Sequence, residues 1–283
     1  AFLLFAMGRA GEATQRAAAL VELGPSDELW YSAARSSWGT ALVFGPPPVD
    51  EAIAAIQAQV DRSPGMATNL GASGGMARLR ALQGRFAEAR ELLARARIGF
   101  EELGDHHRLV GLRGTEGEIE HDAGDRESGA RLSLEAYEAM TASGDRSFAS
   151  TIAVELAEAL FDLGDFEEAW RYGAIARDTS SSDDVMSQAG GRAVQARVLS
   201  GRGEHEAAET LAREAESIMS ATDYIVLRGE MAEHLAHVLH EAGKTDEALA
   251  AARQAMELYD RKGATFLVER AQNLVRQWGG AAG

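Results

Sequence analysis

The chain has 283 residues, 46% hydrophobic and 25% charged, with 5 prolines, no cysteine, a formal net charge of −16 and a pI near 4.9. That length suits one large domain, two modest ones or an array of small repeats. Without cysteine, disulfides and thiolate chemistry are excluded and a reducing cytoplasm is a natural setting. The negative field repels nucleic acid and anionic membrane surfaces.

The opening "AFLLFAMGRAGEA" carries no initiator Met and no basic leader region, and its apolar run is too short to span a bilayer. It reads as the second half of a helix, so the chain is expected to be a piece of a longer multidomain protein. Residues 1–65 read as two degenerate helical hairpins. Their turns are "GRAGEA" (8–13) and "PPPVDEA" (46–52), where Gly45 and Pro46 to Pro48 break the helix. Trp30, Tyr31 and Trp38 thicken the second hairpin. They either fill its core or stack on a small-molecule effector.

Residues 66–264 repeat five times. The turn glycines Gly84, Gly124, Gly164, Gly203 and Gly243 are spaced by 40, 40, 39 and 40 residues. Seven residues before them stand Ala77, Gly117, Ala157, Ala196 and Ala236. Five after stand Ala89, Gly129, Ala169, Ala208 and Ala248; twelve after stand Ala96, Ala136, Ala176, Ala215 and Ala255. Every one is alanine or glycine. Paired antiparallel helices approach closely only where facing residues are small. The glycines suit left-handed helix ends, and acidic residues such as Glu167 and Glu168 suit the first turn of the helix that follows. Residues 265–283 read as a capping helix with a flexible "GGAAG" tail.

These columns, with the Gly-x-aromatic-x-x-Ala turns at Phe86 and Phe166, resemble the tetratricopeptide family. Arg126, His205 and Thr245 depart from the aromatic, and the period exceeds the usual 34 or so. The resemblance implies an all-α, right-handed α-α superhelix of about seven hairpins of ~40 residues plus a terminal helix. The longer helices, and "EALAAARQAMELYDRKGA" (247–264) above all, resemble the sensor regions of bacterial signalling ATPases. Those include LuxR-type and maltose-activator-like regulators and class III adenylate or guanylate cyclases with an ATPase module.

Several motifs imitate chemistry. Gly243-Lys244-Thr245 lacks the earlier glycine (Val238 stands there) and the preceding strand of a phosphate loop, and reads as an inter-helix turn. "GASGG" (71–75) would make Ser73 a nucleophile only on a strand-to-helix elbow, whereas it falls within a helix. His234, His237 and His240 lie three apart but lack a zincin order or a fourth ligand. "SSSDD" (180–184) reads as a solvated loop. No cofactor, metal or catalytic residue is expected.

One column is charged or ionisable in all five repeats: Arg78, Glu118, Glu158, Arg197 and His237. In the resembled family it lines the concave groove; a solvated helix face is the alternative. The expected function is a non-catalytic interaction or sensor scaffold of a bacterial signalling or transcription-regulatory protein, holding a protein segment or neighbouring domain in that groove. The alternative is a small-molecule effector region, with any ATPase or cyclase chemistry in a part preceding this one.

Overall fold

The computed structural model describes residues 4, 7–22, 38–62 and 66–280. Trp30, Tyr31 and the tail 281–283 lie outside the described residues. The order is α1 (Ala10–Glu22), a helical stretch α2 through 38–44, α3 (Val49–Arg62), five hairpins, and α14 (Thr265–Gly279). The hairpins are α4 (Met66–Leu82) with α5 (Phe86–Leu103), α6 (His106–Asp122) with α7 (Arg126–Ser143), α8 (Arg146–Asp162) with α9 (Phe166–Thr179), α10 (Val185–Gly201) with α11 (His205–Ser220), and α12 (Ile225–Glu241) with α13 (Thr245–Lys262). The described residues contain no strand, and no helix among them is long and apolar enough to cross a membrane.

At Gly243, φ is 75°, a conformation that costs a side-chain-bearing residue about 1–2 kcal/mol. It lets the Gly243 N–H reach His240 O at 2.9 Å and the Lys244 N–H reach Leu239 O at 2.9 Å, satisfying carbonyls that the ending helix leaves open. The other four repeat glycines turn the same way, as do Gly104, Gly144 and Gly263 at the opposite ends of the hairpins. Punctuation therefore comes mostly at twenty-residue steps, twice as often as the forty-residue period suggests. Beside four of these glycines stand Asp105, Asp125, Asp145 and Asp165. Each carboxylate accepts from the backbone N–H three residues on, at 3.1 to 3.3 Å.

The ladder breaks between α9 and α10, where Ser180 is extended and no glycine intervenes. Asp184 still caps α10, accepting from Ser187 N at 3.2 Å and Ser187 Oγ at 2.9 Å. Ser187 Oγ also reaches Ser150 Oγ of α8 at 3.1 Å, and both serines are buried. Asp184→Ala removes the cap and a half-buried acceptor of the Ser187 hydroxyl together. It is expected to cost about 1–2 kcal/mol in urea unfolding, with Asp184→Asn losing less. Equal midpoints for all three proteins would show the cap to be idle.

The small columns are where the helices touch. Ala77, Ala157, Ala196 and Ala236 are fully buried, and so are their partners Ala89, Ala169, Ala208 and Ala248. In the second hairpin both positions are glycine, and the backbones leave no room there for a side chain. A Cβ on Gly117 would lie 2.5 Å from Ser133 Oγ and 3.1 Å from Gly129 O.

The N-terminal helices do more than lengthen the solenoid: they bridge its two ends. Ala10 of α1 packs with Ala189, Ala215, Met219 and Tyr224 of the later hairpins. Backbone N–H groups of Ala10 and Gly11 donate to Asp223 at 2.6 and 2.7 Å, so the α11–α12 turn caps α1. Leu42, Val49, Ala52 and Ile56 share one core with Leu79 and Leu82 of α4, Tyr259 of α13 and Leu267 of α14. Lys262 closes the joint. It is fully buried, and its Nζ donates to Leu42 O, Gly45 O and Pro47 O at 2.7, 2.8 and 2.8 Å. Burial pushes the ammonium down to about 7, while the three acceptors favour its charged form. Phe86 of α5 and Phe266 of α14 meet edge-on at 5.1 Å, a further contact between the two ends. The first and last hairpins of the superhelix thus meet through this N-terminal bridge.

Candidate functional site

The first helices of the hairpins (α4, α6, α8, α10 and α12) turn one face inward and, with Phe44 and α14, surround a cavity of about 360 Å³. Helix geometry selects the lining: residues three, four and seven apart share a face. Hence Glu118 brings His121 and Asp122, Glu158 brings Glu155 and Asp162, and His237 brings Glu230, Glu233 and His234. The structure places Arg78, Glu118, Glu158, Arg197 and His237 together on this wall. The sequence column passed over Asp122, Glu155, Glu230 and Glu233, which the same three-and-four spacing would have found. Arg270, on the capping helix, follows no such spacing.

Seven carboxylates face four arginines, Arg78, Arg126, Arg197 and Arg270, across the chamber. Arg78 Nε lies 2.7 Å from Glu118 and its Nη1 2.8 Å from Asp122. Burial disfavours that guanidinium, but the two carboxylates outweigh it and raise its pKa. Glu233 takes Arg270 Nε at 2.9 Å and the Tyr259 hydroxyl at 2.9 Å. Burial opposes its charge, yet Arg270 holds it below the usual carboxylate range. Asp162 lies 3.1 Å from His121 Nε2 and 3.6 Å from Arg126. Arg197 has no ion pair among the described residues; its guanidinium lies 4.7 Å from the Phe161 ring centre. Burial, then Arg197, pushes His237 down to about 3, so that member of the column is neutral.

Two glutamates go the other way. Glu155 is raised well above its usual range by burial and by the neighbouring Glu118. Burial, then Glu158, pushes Glu230 up to about 8. A raised acid binds its proton more tightly in the folded state. Its contribution to stability is full below the unfolded value near 4.3 and is lost as pH climbs towards the folded one. Glu230→Gln is therefore expected to melt above the parent protein at about pH 9 and close to it at about pH 5. Thermal melts that coincide at both pH values would refute this.

The other sequence candidates fall elsewhere. Lys244 pairs with Glu209 at 2.7 Å on an exposed turn, and Ser73 lies inside α4. His240 stacks on Trp278 at 4.4 Å and His237 meets it edge-on at 5.1 Å, while His234 approaches Glu158 at 3.5 Å. No group of residues among those described is arranged to hold a metal ion. Trp38 packs into the joint core with Leu42 and Val49, so the aromatic rings at the chamber are Phe44 and Phe161 instead.

The sequence pattern described as the tetratricopeptide repeat matches residues 70–95, 152–169, 189–214 and 232–254. These repeats are tetratricopeptide-like. The four matches fall in the first, third, fourth and fifth hairpins; the second, with glycine in both columns, is not among them. No curated protein sequence matches the chain. Among solved structures it is similar to a Rap protein complexed with Competence and Sporulation Factor, at 13% identity and TM-score 0.70 over 90% of this chain and 71% of that one. It is similar to NprR in complex with its cognate peptide NprX, at 14% identity and TM-score 0.67 over 92% and 76%. The apo form of the quorum sensor NprR from B. thuringiensis follows at 14% and 0.58 over 90% and 73%. At these identities the likeness concerns the fold: an all-α superhelix of stacked repeats.

Proposed function

We propose that the chain is a non-catalytic regulatory scaffold that holds a short peptide or the end of a protein segment in its inner chamber. The observation that carries this reading is the convergence of ionisable side chains from five successive repeats on one concave cavity, a wall that no single hairpin could build. The NprR structure, which holds a cognate peptide, supports it by fold analogy. In a longer signalling or transcription-regulatory protein, an ATPase- or cyclase-bearing one included, occupancy would bias how tightly the two ends of the superhelix close. The output domain would read that population shift.

A panel of fluorescently labelled hexapeptides of varied charge, titrated against the chain and against Glu158→Gln/Arg197→Gln, tests the reading. A subset is expected to bind, and the double variant to weaken it at least about tenfold, or about 1.4 kcal/mol. Binding that the double variant leaves untouched would remove the chamber from the account. The second reading, a small-molecule effector, is favoured by the volume, which sits at the low end for small-ligand pockets. Thermal shifts from nucleotides or sugars, with no peptide bound, would select it.

A further inference from the structure

The chamber's ion pairs do not balance. Arg78 is taken by Glu118 and Asp122, Arg270 by Glu233, and Asp162 by His121 and Arg126. Glu155, Glu158 and Glu230 are left over. Glu158 has only the His234 imidazole, at 3.5 Å. Glu155 Oε2 is buried without a hydrogen-bond partner, and Glu230 makes no hydrogen bond or ion pair with any described residue. The remaining arginine, Arg197 on α10, makes no ion pair with any of the three. Its guanidinium lies over Phe161, whose ring face suits a cation, with Glu158 only among the carboxylates further off that favour its charge.

Resting on the chamber reading above, we infer that Glu155, Glu158 and Glu230 form a seat for one organic cation of the bound segment: a guanidinium or ammonium group. A bare divalent ion is disfavoured, since no carboxylate or imidazole groups among the described residues converge at metal-holding geometry. A guanidinium or ammonium spans wider acceptors through several N–H donors. Charges on every neighbouring helix enter the balance. Glu230 on α12 faces Glu158 on α8, Arg270 on α14, Arg78 on α4 and Asp122 on α6; Glu155 faces Glu118, Arg78 and Glu158. Burial and neighbouring carboxylates favour the protonated forms of Glu155 and Glu230, so seating a cation beside them ionises them and passes protons to the buffer.

Three probes separate the sources of the cation: acetyl-Gly-Arg-Gly-amide carries only a guanidinium, Gly-Gly-Gly-amide only an N-terminal ammonium, and acetyl-Gly-Glu-Gly-amide only a carboxylate. Each is titrated at pH near 7 and about 10 mM, enough to load a millimolar site. The first or second is expected to raise the melting temperature. It should also release on the order of one proton per ligand, read from calorimetry in buffers of differing ionisation heat. Glu155→Gln/Glu230→Gln should weaken that probe at least tenfold and abolish the proton release. Neither glutamate holds an ion pair, so this variant is expected to fold, which its unliganded melt checks. If only the glutamate probe stabilises the protein, the cation assignment is overturned while the chamber reading stands. Indifference to all three overturns the cation seat, and the hexapeptide panel then decides the chamber reading by itself.

Discussion

Lys262→Met is expected to loosen the joint between the two ends of the superhelix and to cost about 3 kcal/mol or more in chemical denaturation. Methionine keeps most of the length and all of the apolar stem, so the change isolates the ammonium. What is lost is the donor to three carbonyls, Leu42 O, Gly45 O and Pro47 O, at 2.7 to 2.8 Å in a site with no solvent exposure. Each carbonyl left without a partner costs about 1–3 kcal/mol. Removing the cost of burying a cation offsets part of that sum. Those carbonyls end α2 and shape the proline turn before α3, so the damage is local to the N-terminal bridge. Hydrogen exchange should quicken across 38–62 and stay unchanged in α8 and α9. A variant as stable as the parent, with unchanged exchange, would mean that the apolar core around Tyr259 and Leu267 closes the ring unaided.

This joint marks the limit of what the sequence discloses. The small columns and the turn glycines were legible because each rests on contacts within one hairpin, a few residues from the turn that sets the register. The inward column was legible for the same reason: once Ala157 is known to face its partner helix, Glu158 beside it must point along the inner rim. Half of the punctuation falls between the steps of the hairpin period and is therefore hidden in a forty-residue alignment. The Gly-Asp pairs at 104–105 and 144–145 mark the period of the single helix. Closure was not legible at all. It pairs Lys262 with residues 215 to 220 positions away and Asp223 with α1 over 212 and 213, and no local pattern encodes a contact at that separation. One hint stood in the composition. Lys262 is one of only two lysines in the chain, and a lone lysine in an arginine-rich sequence invites asking what a compact, three-donor ammonium does there.

Gly191→Ala is expected to be strongly destabilising, and it tests whether close helix approach shapes the chamber. A Cβ at Gly191 would stand 2.5 Å from Gly173 O and 2.8 Å from Arg177 Cγ. The arginine can swing aside, but the carbonyl belongs to the backbone of α9, so α9 and α10 must separate. Overpacking of this kind costs about 1–3 kcal/mol and occasionally more. Gly74→Ala is the matched control, since a Cβ there meets nothing within 4 Å and the helix gains about 0.5–1 kcal/mol from alanine. Opposite shifts in unfolding midpoint are the expected result; shifts of the same sign would show that α10 slides freely against α9. The functional consequence follows from the helix that moves. α10 carries Arg197 and Val194 on the chamber wall, and Arg197 is held over Phe161 of α8. Displacing α10 draws that guanidinium off its ring and widens the cavity. Any ligand of the chamber should then bind Gly191→Ala more weakly even under conditions where the variant remains folded, while Gly74→Ala binds it as the parent does.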